Sequence, residues 1–427
     1  MAHLTTRSAY NSLSDRLNKF PQGAPPSKLL YNILEILFTT EEAEFVSKLS
    51  IKPFTAEKAA RLSNKTITES RVLLDKLASK GILLDTEIDG KSFYTLPPPM
   101  AGFFEFSMMR IRSDIDQKLL AELFYEYLNV EEDFIKDLFT NCETKLGRTF
   151  VNEPALQKGI NLSVLDYERA SEVIKTASSI GVGICYCRHK MEHLGRACNA
   201  PMEICMTFNN VASSLIKHKV ARQVDIIEGI DLLQIAYDKN LVQFGENVRE
   251  KVSFICNCCG CCCEAMLAAK RFGLLNPVHT TNYLPEIEEE KCNGCGKCVD
   301  VCPVEAMSLV SANNPAKPKL KKAKLNEDIC LGCGLCVRSC RTDGMKLAER
   351  HQRVITPINS VHRVVMTAIE KGLLQNLIFD NQALWNHRAM AAILGVILKL
   401  PPIKQGLASK QFKSHYLEYL LKNYSSE

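Results

Sequence analysis

The sequence has a single tryptophan in 427 residues and no apolar run that approaches the length of a membrane span. The longest apolar stretch near the C-terminus, Ala389 to Leu398, falls well short of the roughly 20 residues a bilayer crossing needs, so no membrane-spanning helix is expected. No apolar segment follows Met1, which argues against a secretory leader. Charge of one sign is not in excess either. Fifty-three basic residues against 48 acidic ones leave +5, too little over this length to indicate nucleic acid by itself. No P-loop, GxGxxG fingerprint or Ser-His-Asp constellation appears, and GVG at 181 to 183 is too short to count, so nucleotide or flavin binding has no support. What remains is an ordinary globular composition, 46% hydrophobic and 24% charged, long enough for about two to four domains.

Cysteine is the residue in excess, with nineteen in the chain. The count is odd and includes CC and CxC pairs, which does not suggest a disulfide framework. It fits a reducing cytoplasm. Eight of the nineteen fall in KCNGCGKCVDVCP and DICLGCGLCVRSC, at i, i+3, i+6 and i+10 in each. They are Cys292, Cys295, Cys298 and Cys302, then Cys330, Cys333, Cys336 and Cys340. A cubane of iron and sulfide needs a thiolate at each iron; a tight loop supplies three, and the distant fourth cysteine of the other motif supplies the last. Structural zinc, which also suits paired CxxC motifs, has no use for the duplicated fourth cysteine.

These fifty residues resemble the bacterial dicluster ferredoxins, small electron carriers with two 4Fe-4S clusters. The resemblance implies one cluster on Cys292, Cys295, Cys298 and Cys340 and another on Cys330, Cys333, Cys336 and Cys302. Pro303 follows the first motif as the family expects, whereas Arg341 stands where a second proline is usual. That departure leaves the ligands intact and bears on the exposure or potential of the nearby cluster.

The fold expected is α+β and multidomain: a flexible arm at 1–27, a winged-helix-like domain at 28–98, a central α/β cysteine-rich domain at 99–285, a dicluster ferredoxin-like domain at 286–350 and a helical tail at 351–427. Helical patterns begin at Lys28, after a capping Thr40, in FTAEKAARLS and in TITESRVLLDKLASKG, which sets Val72, Leu73 and Leu77 on one face. Two strand-like runs joined at Asp89-Gly90 follow as a hairpin. Three helices and a hairpin resemble a winged helix-turn-helix domain. Between residues 55 and 96, however, Lys58, Arg61, Lys65, Arg71, Lys76, Lys80 and Lys91 face Glu57, Glu69, Asp75, Asp85, Glu87 and Asp89, three of them in the wing. Near-neutrality favours a packing or docking module over a nucleic-acid reader. The prolines at 97–99 mark a boundary, and Phe103, Phe104, Phe106, Met108 and Met109 read as a staple between domains.

Ten more cysteines lie at the ends of two short apolar runs. One run leads into a loop, CYCRHKMEHLGRACNAPMEIC, with Cys185, Cys187, Cys198 and Cys205; the other reaches CNCCGCCCE, with Cys256, Cys258, Cys259, Cys261, Cys262 and Cys263. The layout predicts strand ends converging on one shared site, with at least one additional iron-sulfur centre on Cys187, Cys198, Cys205 and Cys258. Neighbours in the doublets Cys258-Cys259 and Cys262-Cys263 diverge, so surplus thiols are left for a second centre, an unusual noncubane cluster or a substrate thiol. Zinc and free redox thiols compete with this reading. Arg188, His189 and His193 are either donors beside a cluster or a solvated basic loop. Lone Cys142 reads as a small buried hydrophobe.

The basic loop AKPKLKKAK, with Lys317, Lys319, Lys321, Lys322 and Lys324, is a solvated loop or a docking site for an acidic redox partner protein. Three helical patterns close the chain, around 359–372, 383–398 and 406–423, with apolar faces expected to pack on the central domain; a peripheral membrane helix around Trp385 is a weaker alternative. The whole arrangement looks like a group of long 4Fe-4S binding proteins of anaerobic bacteria. The function expected is a cytoplasmic iron-sulfur electron-transfer protein. The alternatives are a redox-responsive winged-helix regulator and a reductase subunit with CCGCCC as its active centre.

Overall fold

The computed structural model describes residues 2–156, 164–351, 354, 356–380 and 384–398. The chain divides into two compact units, one of Met1–Thr144, Ser213–Ala221 and Ser360–Glu427, the other of Lys145–Ala212 and Arg222–Asn359.

The first unit is largely helical. Ala2–Leu17 forms a helix with Ala9, Tyr10, Leu13 and Leu17 buried along one stripe, and the Arg16 guanidinium donates to the carbonyls of Leu49 and Ser50. The loose arm expected at 1–27 is therefore packed structure; a short apolar stripe sits inside its polar composition. Helices Lys28–Leu37, Thr40–Ser47, Ala56–Ser63 and Ile67–Ser79 begin at Ser27, Thr39, Thr55 and Thr66, whose side-chain oxygens accept early backbone N–H groups. Thr39 and Thr66 complete capping boxes with Glu42 and Glu69, so the second of these caps is Thr39 rather than Thr40. In Ile67–Ser79 the buried pair is Leu74 and Leu77, and Val72 is exposed, which turns the expected face by a fraction of a turn.

Strands β1 (Leu84–Ile88) and β2 (Lys91–Thr95) pair antiparallel across Asp89 and Gly90, both at positive φ. Asp85 of β1 is buried and accepts from Ser214, Lys217 and His218. Phe103 and Phe104 are fully buried in this same unit, against Phe38 and Phe124 respectively, so they are core of one body and not a staple between two. The tail helices Ser360–Lys371, Leu374–Ile378 and Trp385–Leu398 also belong here. Glu370 accepts from Thr144, Lys371 pairs with Asp137, and Asp380 with Lys58. These polar anchors are invisible as periodicity, and two of them, on Thr144 and Asp137, come from the span expected as the central domain. The pattern at 406–423 lies outside the described residues. No described helix is long and apolar enough to cross a membrane.

The second unit is built on a sheet of β3 (Gly147–Thr149), β4 (Ile180–Ile184), β5 (Glu203–Phe208), β6 (Arg222–Val224), β7 (Val242–Glu246) and β8 (Phe254–Cys258), in the order β3-β7-β8-β5-β4-β6. Every adjacent pair is antiparallel, which makes the unit α+β. Phe150, Ile174, Ile180, Met206, Phe208 and Ile255 fill one core. Because β5 runs against both β4 and β8, the C-terminal ends of β4 and β8 and the start of β5 lie along one sheet edge. The ferredoxin-type segment adds β9 (Tyr283–Ile287) paired with β12 (Met345–Glu349), and β10 (Met307–Ser311) paired with β11 (Lys321–Leu325). Val151, Ala155 and Tyr283 share a core with Cys298, Cys336, Val337 and Met345, and the Asn152 amide donates to the Cys333 carbonyl. The two regions expected as separate domains at 99–285 and 286–350 thus meet in a common core.

Candidate metal centres

The first ferredoxin motif bends through Gly294 at φ +71°, where a Cβ would stand 2.2 Å from the Lys321 carbonyl oxygen. Only glycine permits both that backbone and that approach. Cys292, Cys295 and Cys298 lie around this loop, with Cys295 exposed and Cys298 buried. In the second motif Cys330 and Cys336 are buried. Cys302, from the first motif, lines one apolar cavity together with Cys330, Cys333 and Cys336. Cys340 is half-buried, its Sγ 3.5 Å from Thr342 Oγ1.

Burial pushes the thiols of Cys330 and Cys298 up to about 11 and that of Cys333 up to about 12. These groups stay protonated unless a cation takes the proton's place. Backbone amides are aimed at the sulfurs: Ala306 N–H at Cys302 (3.2 Å), Ala323 N–H at Cys292 (3.4 Å) and Gly332 N–H at Cys330 (3.4 Å). Hydrogen bonds of this kind tune a cluster's potential. Cavity, donor set and amides all suit a 4Fe-4S cluster.

The upstream cysteines gather where the sheet edge predicts, and each run opens a helix. Tyr186–His193 follows Cys185, so CYCRHK is helical where a loop was expected; Glu264–Arg271 follows Cys263. A buried ion pair between Lys190 and Glu264 ties the two helices together. The provisional set of Cys187, Cys198, Cys205 and Cys258 does not meet at one point. Cys187, Cys205 and Cys258 belong to a ring of six thiols, in which Cys185 contacts Cys187 and Cys205. Cys263 contacts Cys187 and Cys258, and Cys256 contacts Cys205 and Cys258, which closes the ring. The Cys263–Cys258 separation is 3.0 Å. Cys198 instead joins Cys259, Cys261 and Cys262, all four sulfurs within 4.8 Å of one another.

The doublets Cys258-Cys259 and Cys262-Cys263 split between the two groups. Cys142, in the first unit, is half-buried where a buried hydrophobe was expected. Sequence reasoning left Cys185, Cys256, Cys259, Cys261, Cys262 and Cys263 out of its set. The period of two in β8 could have paired Cys256 with Cys258 on one face; the antiparallel order that brings in Cys185 and Cys205 has no signal in the sequence.

Arg188, fully buried, stands beside both groups. Its Nη atoms donate to the Pro201 and Asn257 carbonyls, and its Nε has no hydrogen-bond partner. Burial opposes its charge, but Cys185, Cys259, Cys205 and Cys258 outweigh burial and raise its pKa. Around the ring, hydrogen bonds from Cys205 and from Cys187 lower Cys256 and Cys263, each to about 5, and one from Cys262 lowers Cys259 to about 4. Their partners Cys187, Cys205 and Cys258 are raised by the same contacts and by burial, so thiolate and thiol alternate around the ring beside a buried guanidinium, whose charge favours the anionic members. The expected solvated basic loop is thus ruled out for Arg188, and His189, also buried, meets the His193 ring at 4.8 Å with the two planes tilted by 38°.

The two cysteine regions touch. Gly260, in the middle of CCGCC, lies so close to Pro303 that a Cβ there would stand 2.6 Å from the Pro303 carbonyl oxygen. Pro303 in turn lines the cavity shared by Cys302, Cys330, Cys333 and Cys336. Comparison with known families finds that residues 291–343 match the model of the 4Fe-4S dicluster domain. No curated protein and no solved structure matches the chain. The chain therefore carries a ferredoxin-type iron-sulfur domain at 291–343, joined in one compact unit to a second cysteine-rich region.

Proposed function

We propose that the chain is an electron-transfer protein holding two 4Fe-4S clusters and a further metal centre in the CxC/CCGCCC region. Cys292, Cys295, Cys298 and Cys340 would hold one cluster, and Cys330, Cys333, Cys336 and Cys302 the other. Bound there, the clusters supply one-electron transfer. The observation that carries this reading is the cavity where Cys302 crosses over to the three cysteines of the other motif. A Cys302→Ala variant tests it: anaerobically purified protein should lose about four iron and four sulfide per chain. Loss of both clusters' content, or of none, would contradict the crossed assignment.

The Gly260–Pro303 contact supports reading the ferredoxin-type segment as a wire to the upstream centre, which either relays electrons or reduces something bound there. At the other end, Lys317, Lys319, Lys321 and Lys324 are exposed, and Lys321 packs against the loop of the exposed Cys295. This basic hairpin suits an acidic redox partner. Reduction by such a partner should slow as salt rises, and a salt-independent rate would remove the hairpin from the encounter.

The regulator reading is weaker. In the winged-helix-like segment Lys65 pairs with Glu41, Lys76 and Lys80 with Glu42, and Arg71 with Glu57, leaving few cations for phosphates. Footprinting of oxidised and reduced protein checks it, with no salt-sensitive binding expected in either state.

A further inference from the structure

The ten upstream thiols have two geometries. In the ring of six each sulfur contacts two neighbours, Cys263 and Cys258 at 3.0 Å. In the group of four the contacts are mutual. Cys198 and Cys259 are 3.6 Å apart, Cys261 and Cys262 3.7 Å, and all pairs fall inside 4.8 Å.

This compactness decides nuclearity. Four sulfurs bonded to one tetrahedral ion at about 2.3 Å stand about 3.8 Å from each other. The four thiolates of a cubane ligate four different irons, and the cube holds them apart, so they cannot all approach this closely. A fifth protein donor is not needed, because four thiolates complete a closed tetrahedral shell with no position left for substrate.

We propose that Cys198, Cys259, Cys261 and Cys262 form a closed tetrathiolate site for a single divalent tetrahedral metal ion of the zinc class, separate from the iron-sulfur centre of the six-thiol ring. The inference rests on the reading of this region as metal-binding and deepens it into two centres. Arg188, fully buried and bonded to the carbonyls of Pro201 and Asn257 at the roots of the two loops, offsets the net −2 of four thiolates and a divalent ion.

The ion would act as a clamp. Three of its ligands, Cys259, Cys261 and Cys262, flank Gly260, whose backbone rests on Pro303. The fourth, Cys198, lies between the helix Tyr186–His193 and β5. One ion thus fixes the loop that brings the upstream region against the ferredoxin-type segment, and it needs no redox chemistry to do so.

The test uses the full chain purified without oxygen, with zinc, iron and inorganic sulfide quantified together. Wild-type protein should hold one zinc-class ion per chain without matching sulfide. The double variant Cys198→Ser/Cys261→Ser should lose that ion while sulfide and the electron paramagnetic resonance signals stay at wild-type levels. In the same variant, backbone amides around Gly260 should exchange hydrogen faster. The converse variant, Cys205→Ser/Cys256→Ser, should lose sulfide and keep the single ion.

Loss of about four iron with four sulfide from the first variant would overturn the inference by making the tetrad a cluster site; so would no loss of metal. Wild-type sulfide at or below eight per chain would instead remove the iron-sulfur centre from the ring, while loss of one sulfide-free ion from the first variant would still uphold the clamp.

Discussion

Gly260 is the residue at which the two cysteine regions meet, and its side chain is absent for a steric reason. A methyl at this position would press on the backbone of Pro303, which cannot swing away as a flexible side chain can. Gly260→Ala should therefore cost about 1–3 kcal/mol, the range for overpacking a close contact. Anaerobic thermal unfolding checks this, and a midpoint equal to wild type would show that the contact gives freely.

At this scale the sequence was legible where chemistry fixes spacing. The eight ferredoxin cysteines declare themselves because a cubane dictates their intervals, and Gly294 because the loop must turn under Lys321. The upstream ten were legible as thiols converging on one region and not as two separate groups. Their grouping depends on which strands are neighbours, and nothing in CYCRHK or CNCCGCCC encodes that Cys205 will meet Cys256.

Among the elements, the two helices that open after the cysteine runs are joined by Lys190 and Glu264, both essentially without solvent contact. Removing one partner leaves a buried charge, at a cost of about 3–5 kcal/mol. Lys190→Met should accordingly lower the unfolding midpoint, and Lys190→Met/Glu264→Leu should recover most of the loss. A double variant as unstable as the single would show that the pair does more than compensate itself.

In the first unit, β1 is tied to the segment 214–218 through Asp85. Burial works against the Asp85 charge, but hydrogen bonds from His218, Lys217 and Ser214 overcome it and hold the carboxyl well below the usual range. A depressed folded-state pKa contributes stability above the unfolded value of about 3.9, and this is lost as pH falls below it. Asp85→Asn should cost roughly 2 kcal/mol at neutral pH, and its deficit against wild type should shrink below about pH 4. A deficit constant down to pH 3 would count against this role. The hairpin carrying Asp85 could be read from Asp89-Gly90. Its anchor could not, since Ser214, Lys217 and His218 lie more than a hundred residues away.

For the molecule as a whole, the first and last parts of the chain fold into one unit and the two cysteine regions into the other. Element order along the sequence suggested five successive pieces. Polar anchors such as Lys58–Asp380 and Lys371–Asp137, and the core that Val151 and Tyr283 share with Cys298 and Cys336, regroup them. The arrangement places a lysine-flanked motif at 292–298 with Cys295 exposed, a largely buried motif at 330–336, and the ring of six thiols in one compact unit. The central claim is that this body carries iron-sulfur chemistry beyond its ferredoxin-type segment. Quantitation of iron and acid-labile sulfide in anaerobically purified full-length protein, read together with its electron paramagnetic resonance spectrum, tests that most directly. More than eight sulfides per chain with a signal that survives Cys302→Ala and disappears in Cys205→Ser/Cys256→Ser is the predicted result; zinc without sulfide, or eight sulfides with the upstream thiols freely alkylated, would contradict it.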